Sequence, residues 1–160
     1  MLSSYNDFRS KVVTGDFFFT KSKALFSRII RFFTHSDVSH VWVFFWIENR
    51  LFIWEMLEGK GCRMMLASEL FRQQEFFWGV PSIRMQDDKT IITNILDDVG
   101  RLEYSMWGAI LAPFINTPSS DNICSEWATK VTGQKFEALN RGILPVDLVA
   151  KCRTFTLVTK

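Results

Sequence analysis

The sequence predicts a mixed fold of helices and antiparallel strands, on three observations. Residues 40–47 are β-branched or aromatic, and 51–57 are apolar except for Glu55, with only Glu48-Asn49-Arg50 between the two runs. Such a pair reads as a hairpin. Apolar residues recur at helical spacing at Ile91, Ile92, Ile95, Leu96 and Val99, after Asp87-Asp88 and before Gly100. A further stretch, Asp121 to Gly133, opens on helix-start residues and closes on a glycine suited to the position just past a helix end.

Taken in order, residues 1–10 read as a short amphipathic turn or helix, and Gly15-Asp16 as a turn. Phe17-Phe18-Phe19-Thr20 has no alternating polar residue and reads as a strand buried on both faces. Over 21–33, Leu25, Phe26, Ile29, Ile30 and Phe33 keep a helical period that ends near Thr34. The hairpin follows, closed by Gly59 and Gly61. Residues 62–86 are mixed, with a short helix expected over 67–74 and strands over 76–80 and 83–85. After the helix that Asp87-Asp88 starts come an apolar segment, 104–115, and a loop with Pro118-Ser119-Ser120. Ser120, Asp121 or Asn122 is expected to cap the next helix, which puts Cys124 in its first turn. A last helical turn over 146–152 and a strand over 155–158 end the chain. No repeat or compositional break appears, so residues 1–160 are expected to form one domain.

With 19 basic and 17 acidic residues, the net charge of +2 leaves neither a nucleic-acid footprint nor a polybasic membrane patch. Sixteen Phe and six Trp imply a ring-rich core or an open apolar groove, and general burial preference favours the core. Cys62, Cys124 and Cys152 match neither a disulfide framework nor a metal-binding spacing, which points to a reducing compartment. The first residues lack the apolar core of a signal peptide and no run approaches a membrane span, so the expected location is the cytoplasm or a virus-encoded assembly.

His35 and His40 are the only histidines. An imidazole near a first-turn cysteine takes the thiol proton and later protonates a leaving group. A helix N-terminus also favours the thiolate. His40, at the mouth of a strand, is better placed than His35, in a loop. The residue orienting the imidazole is sought among Glu55 and Glu58. A tight turn at Asn49-Arg50 pairs Glu55 with Phe44, roughly 10 to 13 Å from His40; a wider loop brings it opposite Val41. Each residue also has a plainer reading: Cys124 as an apolar filler, His40 as a hydrogen-bonded core residue, Glu55 as the partner of a surface arginine. Cys62 and Cys152 are read as structural.

The succession Gly15-Asp16 and strand, Ser39-His40-Val41 and strand, Glu55, Cys124-Ser125-Glu126 and helix, then Leu144-Pro145-Val146-Asp147-Leu148 resembles the circularly permuted NlpC-type papain-like cysteine hydrolases. Within these it is most like the YiiX-like group, distantly similar to lecithin retinol acyltransferase. The resemblance covers about residues 14–158. It implies an α+β papain-like fold, an antiparallel sheet packed against helices with the nucleophile at a helix N-terminus. It also implies Cys124 as nucleophile, His40 as base and Glu55, in preference to Glu58, as the residue that orients His40. The implied reaction is hydrolysis of an amide, in cell-wall peptides or acylated amino compounds, through an acyl-enzyme and with no metal or nucleotide cofactor. The alternatives are a catalytically silent component of a larger, virus-encoded assembly, and an acyltransferase. Three positions depart from the family pattern: Trp42 replaces a small residue, Met56 an alanine and Ile123 an aromatic.

Overall fold

A computed structural model describes residues 5–20, 37–57, 61–101, 123–136 and 141–159. The helix expected over 21–33, the apolar segment 104–115, His35 and Glu58 lie outside them. The strands are β1 (Phe17–Thr20), β2 (His40–Ile47), β3 (Arg50–Leu57), β4 (Gly61–Leu66), β5 (Phe76–Pro81) and β6 (Cys152–Val158). They form one sheet in the order β4-β3-β2-β1-β5-β6, and every neighbouring pair is antiparallel. The described helices are α1 (Tyr5–Arg9), α2 (Ala67–Gln73), α3 (Asp88–Asp98), α4 (Cys124–Thr132) and α5 (Pro145–Ala150).

Both faces of the sheet are covered, which explains why β1 and β2 are apolar without alternation. On the front face, Phe17, Phe19, Val41, Val43, Phe45, Trp54 and Met56 pack with Ile91 and Ile95 of α3, Trp127, Ala128 and Val131 of α4 and Leu148 of α5. On the back, Phe18, Trp42, Phe44, Ile53, Phe76 and Trp78 pack with Phe8 of α1 and with Ala67 and Leu70 of α2. The Phe8 ring meets Phe44, Phe76 and Trp78 edge-on. The aromatic surplus is therefore spent largely on the two cores.

Three local features differ from the sequence reading, the first being that α5 stops at Ala150 and β6 starts at Cys152, where a helical turn to 152 and a strand from 155 are expected. Residues 61–66 form a strand that Cys62-Arg63-Met64-Met65 does not advertise, and it pairs with residues 52–57 along the outer edge of β3. Residues 82–86 form bends and not a strand, with Ile83 66% and Met85 44% exposed. Apolar alternation there reflects no buried face. Elsewhere the signals hold: the Asp87 carboxylate caps α3 by accepting from Thr90 N at 2.8 Å, and Gly133, at φ +67°, ends α4.

The β2–β3 turn has two residues, Glu48 and Asn49, since Ile47 pairs with Arg50. Glu48 sits at φ +50°, a region that costs a residue with a Cβ on the order of 1 kcal/mol. Glu48→Gly is expected to stabilise the fold by up to about 1 kcal/mol, read as a higher urea midpoint at unchanged slope. A lower midpoint would show that Glu48 contributes contacts that outweigh the relief.

Candidate active site

α4 is held through its first turn. Trp127, 3% exposed, stacks on Trp54, and its Nε1 donates to Asp98 Oδ2 of α3 at 2.7 Å. Two residues earlier the Ser125 hydroxyl donates to the Ile143 carbonyl at 2.6 Å. The loop carrying Ile143 is in turn pinned by Asp147, whose Oδ2 accepts from Leu144 N at 2.8 Å and whose two oxygens take Arg141 at 2.7 and 2.8 Å. The late Pro-x-Asp-Leu turn is thus a clip on the residue beside Cys124. The residue capping α4 is Ile123, with no side-chain hydrogen bond to the helix; the polar caps expected at 120–122 lie outside the described residues.

Cys124 opens α4 and is 4% exposed. Burial pushes its thiol up to about 11, against the backbone N–H groups of Val41, Ser125 and Cys124 itself and the Ser125 hydroxyl, which favour the thiolate. The helix N-terminus acts in the expected direction, but desolvation outweighs it. The thiol is therefore protonated at neutral pH. Val41 is the informative neighbour. Phe44 N–H bonds the Asp16 carbonyl on the β1 side, so the alternating amides of Val41 and Val43 face β3. The β2–β3 ladder stops at Val43 opposite Trp54. Beyond that point Val41 N–H points to the Cys124 sulfur, which stands where the two strands part.

His40 opens β2 opposite Thr20. Alternation places it on the back face with Trp42 and Phe44, while Val41 and Val43 share the front core with Cys124. Its ring stands edge-on to Trp42, centroids 5.6 Å apart. Nε2 is shut off from solvent and has no hydrogen bond. Burial lowers the imidazole to about 4, so His40 is neutral at pH 7.

Glu55 is 0% exposed. It lies between Trp54 and Met56, which face front, and so belongs to the back face. Its Oε1 accepts from Arg63 Nε, directly opposite in β4. The β2–β3 ladder ends one residue short of Glu55, in a register that lies between the two weighed from sequence, so Glu55 follows Trp54 on the back face that His40 and Trp42 share. His40, Trp42 and Glu55 are thus gathered on one face, with Cys124 at the strand gap beside Val41. His40 is hydrogen-bonded to neither Cys124 nor Glu55. Sequence reasoning missed Arg63. Its signal was symmetry, because Glu55 and Arg63 are equidistant from Gly59 in the glycine-marked turn.

Among the described residues no three His, Cys, Asp or Glu side chains cluster as metal ligands, and no helix is long and apolar enough to cross a membrane. No protein-family model and no curated protein matches the chain. Among solved structures, the metalloprotein yiiX from Escherichia coli O157:H7 matches with a TM-score of 0.65 and 14% identity, over 92% of this chain and 96% of that one. At that identity the likeness concerns the fold: an α+β chain with a six-stranded antiparallel sheet, similar to yiiX.

Proposed function

We propose that residues 1–160 form one permuted NlpC-type papain-like domain, a cysteine hydrolase that cleaves an amide bond in cell-wall peptides or acylated amino compounds. Cys124 is the nucleophile, His40 the acid–base residue and Glu55 the residue that positions His40. The observation that carries this reading is the Cys124 sulfur at the end of the β2–β3 ladder, facing Val41 N–H. A sulfur within hydrogen-bonding reach of that nitrogen is within about 6 Å of the His40 Cα, a span the imidazole covers by rotating about its own side-chain bonds.

Both groups start uncharged at neutral pH. As the sulfur attacks the carbonyl carbon, His40 takes the thiol proton, and the carbonyl oxygen becomes an oxyanion held by backbone N–H groups at the start of α4. The C–N bond then breaks, His40 returns the proton to the departing amine, and an acyl-thioester remains on Cys124. Water, deprotonated by His40, releases the acid and restores the thiol. An amine or alcohol in place of that water makes the same site an acyltransferase. A silent binding scaffold is the second reading, favoured by the Glu55–Arg63 pair and by the unbonded His40 Nε2.

Turnover of N-acyl amino acids and cell-wall peptides, together with labelling by a small thiol reagent from pH 6 to 11, separates the two readings. The hydrolase requires Cys124 to label fastest of the three cysteines at neutral pH. It also requires His40→Ala to lower turnover on the order of 10²-fold or more, and Cys124→Ala to abolish it. Faster labelling of Cys62 or Cys152, or binding without turnover, supports the scaffold.

A further inference from the structure

Five tryptophans lie among the described residues, and four have an acceptor for the indole N–H. Trp46 Nε1 donates to the Val12 carbonyl at 3.0 Å, Trp78 to Asp16 Oδ2 at 3.0 Å, Trp127 to Asp98 Oδ2 at 2.7 Å, and Trp54 to the Cys62 sulfur. Trp42 is the exception. It is 6% exposed, its Nε1 is buried, and among the described residues no acceptor faces it. The ring cannot simply turn out to water, being packed on Phe18 at 4.8 Å and on His40 at 5.6 Å. His40 Nε2, two residues away on the same face, is the other buried side-chain nitrogen without a partner among the described residues. A buried donor without an acceptor is costly and rare in a finished fold. Two buried nitrogens without partners, side by side next to the gap that holds Cys124, form a place that the polar groups of another molecule can satisfy.

The chemistry of the two nitrogens narrows that molecule. An indole N–H only donates, so it needs an oxygen acceptor. A neutral imidazole nitrogen suits an N–H or an amine leaving group, and neither residue carries the positive charge that would hold a carboxylate. A carboxamide offers both, an acceptor oxygen bonded to the same carbon as a nitrogen.

We propose that Trp42 Nε1–H binds the acyl carbonyl oxygen of a carboxamide whose nitrogen is presented to His40 Nε2, making Trp42 the residue that selects amides at this site. As a statement about substrate, and not only about a bound ligand, it rests on the hydrolase reading above. Trp42 occupies the position where the resembled family has a small residue, so the selecting group belongs to this chain.

The test uses full-length ¹⁵N-labelled Cys124→Ala protein, which binds without turning over, titrated with hexanamide and, separately, with hexylamine, which has the same chain length but no carbonyl. The indole ¹H–¹⁵N peak of Trp42 is assigned by its loss in Trp42→Phe. Hexanamide is expected to shift that peak saturably and hexylamine to leave it in place. Trp42→Phe, which keeps a ring in the core, is expected to bind hexanamide about ten-fold more weakly. An unmoved Trp42 peak, equal shifts with both ligands, or no binding of hexanamide overturns the proposal, and an unmoved peak means that the indole is served by resident water only. Amide turnover by the unsubstituted protein with an unmoved peak removes this inference and leaves the hydrolase; a saturable shift without turnover does the reverse.

Discussion

Acidification through the interval from pH 6.5 to 4 is expected to destabilise the protein through His40 alone by at most about 3 kcal/mol. The imidazole is neutral in the fold because burial lowers it from 6.5 to about 4, whereas in the unfolded chain it keeps the ordinary value. Between those two values the unfolded state binds the extra proton. Stability is therefore complete above about pH 6.5, falls as the pH drops toward 4, and levels off below. The figure is a ceiling because part of the His40 surface reaches solvent while Nε2 does not. His40→Gln removes the titration and leaves a polar side chain of similar reach. Urea midpoints of the parent and His40→Gln should diverge across this window. Carboxylates contribute equally to both proteins and cancel in the difference, including Asp16, whose pKa burial raises against Val13 N–H, Arg84 and Trp78. Midpoints that run parallel from pH 7 to 4 would mean that His40 is solvated in the fold, and its candidacy as a buried base would go with them.

Much of this arrangement was legible in the residues because the strongest signals were local. β2 begins at His40 and ends at Ile47 as the β-branched and aromatic run does, and Asp87, Gly100 and Gly133 bound their helices where the capping signals stand. What was not legible is non-local. The register of the β2–β3 hairpin is set by a turn that holds Glu48 at a positive φ, which glutamate does not announce. The observed register differs by two residues from the one that pairs Glu55 with Phe44 and by one from the one that pairs it with Val41. Strand β4 shows weak intrinsic preference and exists because its edge pairing with β3 supplies what propensity does not. The sign of the Cys124 shift was hidden for a similar reason: a helix N-terminus can be read from spacing, but the burial that outweighs it comes with a front core shared with β1, β2 and β3, remote in sequence. The Asp147 turn was visible as a motif, yet its use as a clip on Ser125 depends on a contact across 18 residues.

Arg63, which pairs with Glu55 across the β3–β4 ladder, supplies the second large effect and bears on the weakest link of the site. Arg63→Leu is expected to destabilise the fold by roughly 3 kcal/mol, because it removes the guanidinium from a carboxylate that water cannot reach. The value belongs at the low end of such losses since the Arg63 side chain is 41% exposed and gives up less when it is removed than Glu55 does when it is left. Replacing both, Glu55→Leu with Arg63→Leu, should recover most of the loss, as an apolar pair fills the same space between Ile53 and the back-face rings. If the double variant is no more stable than Arg63→Leu, the ion pair is not what the carboxylate is there for. Glu55→Gln then tells structure from positioning. A carboxylate that serves Arg63 alone leaves the acid limb of His40 where it was, whereas one that also steadies the protonated imidazole moves that limb to lower pH upon substitution. The sign follows from charge: removing a nearby carboxylate disfavours the imidazolium in the fold and lowers the His40 pKa further. A limb that stays in place assigns Glu55 to Arg63 and leaves Cys124 and His40 to act as a pair.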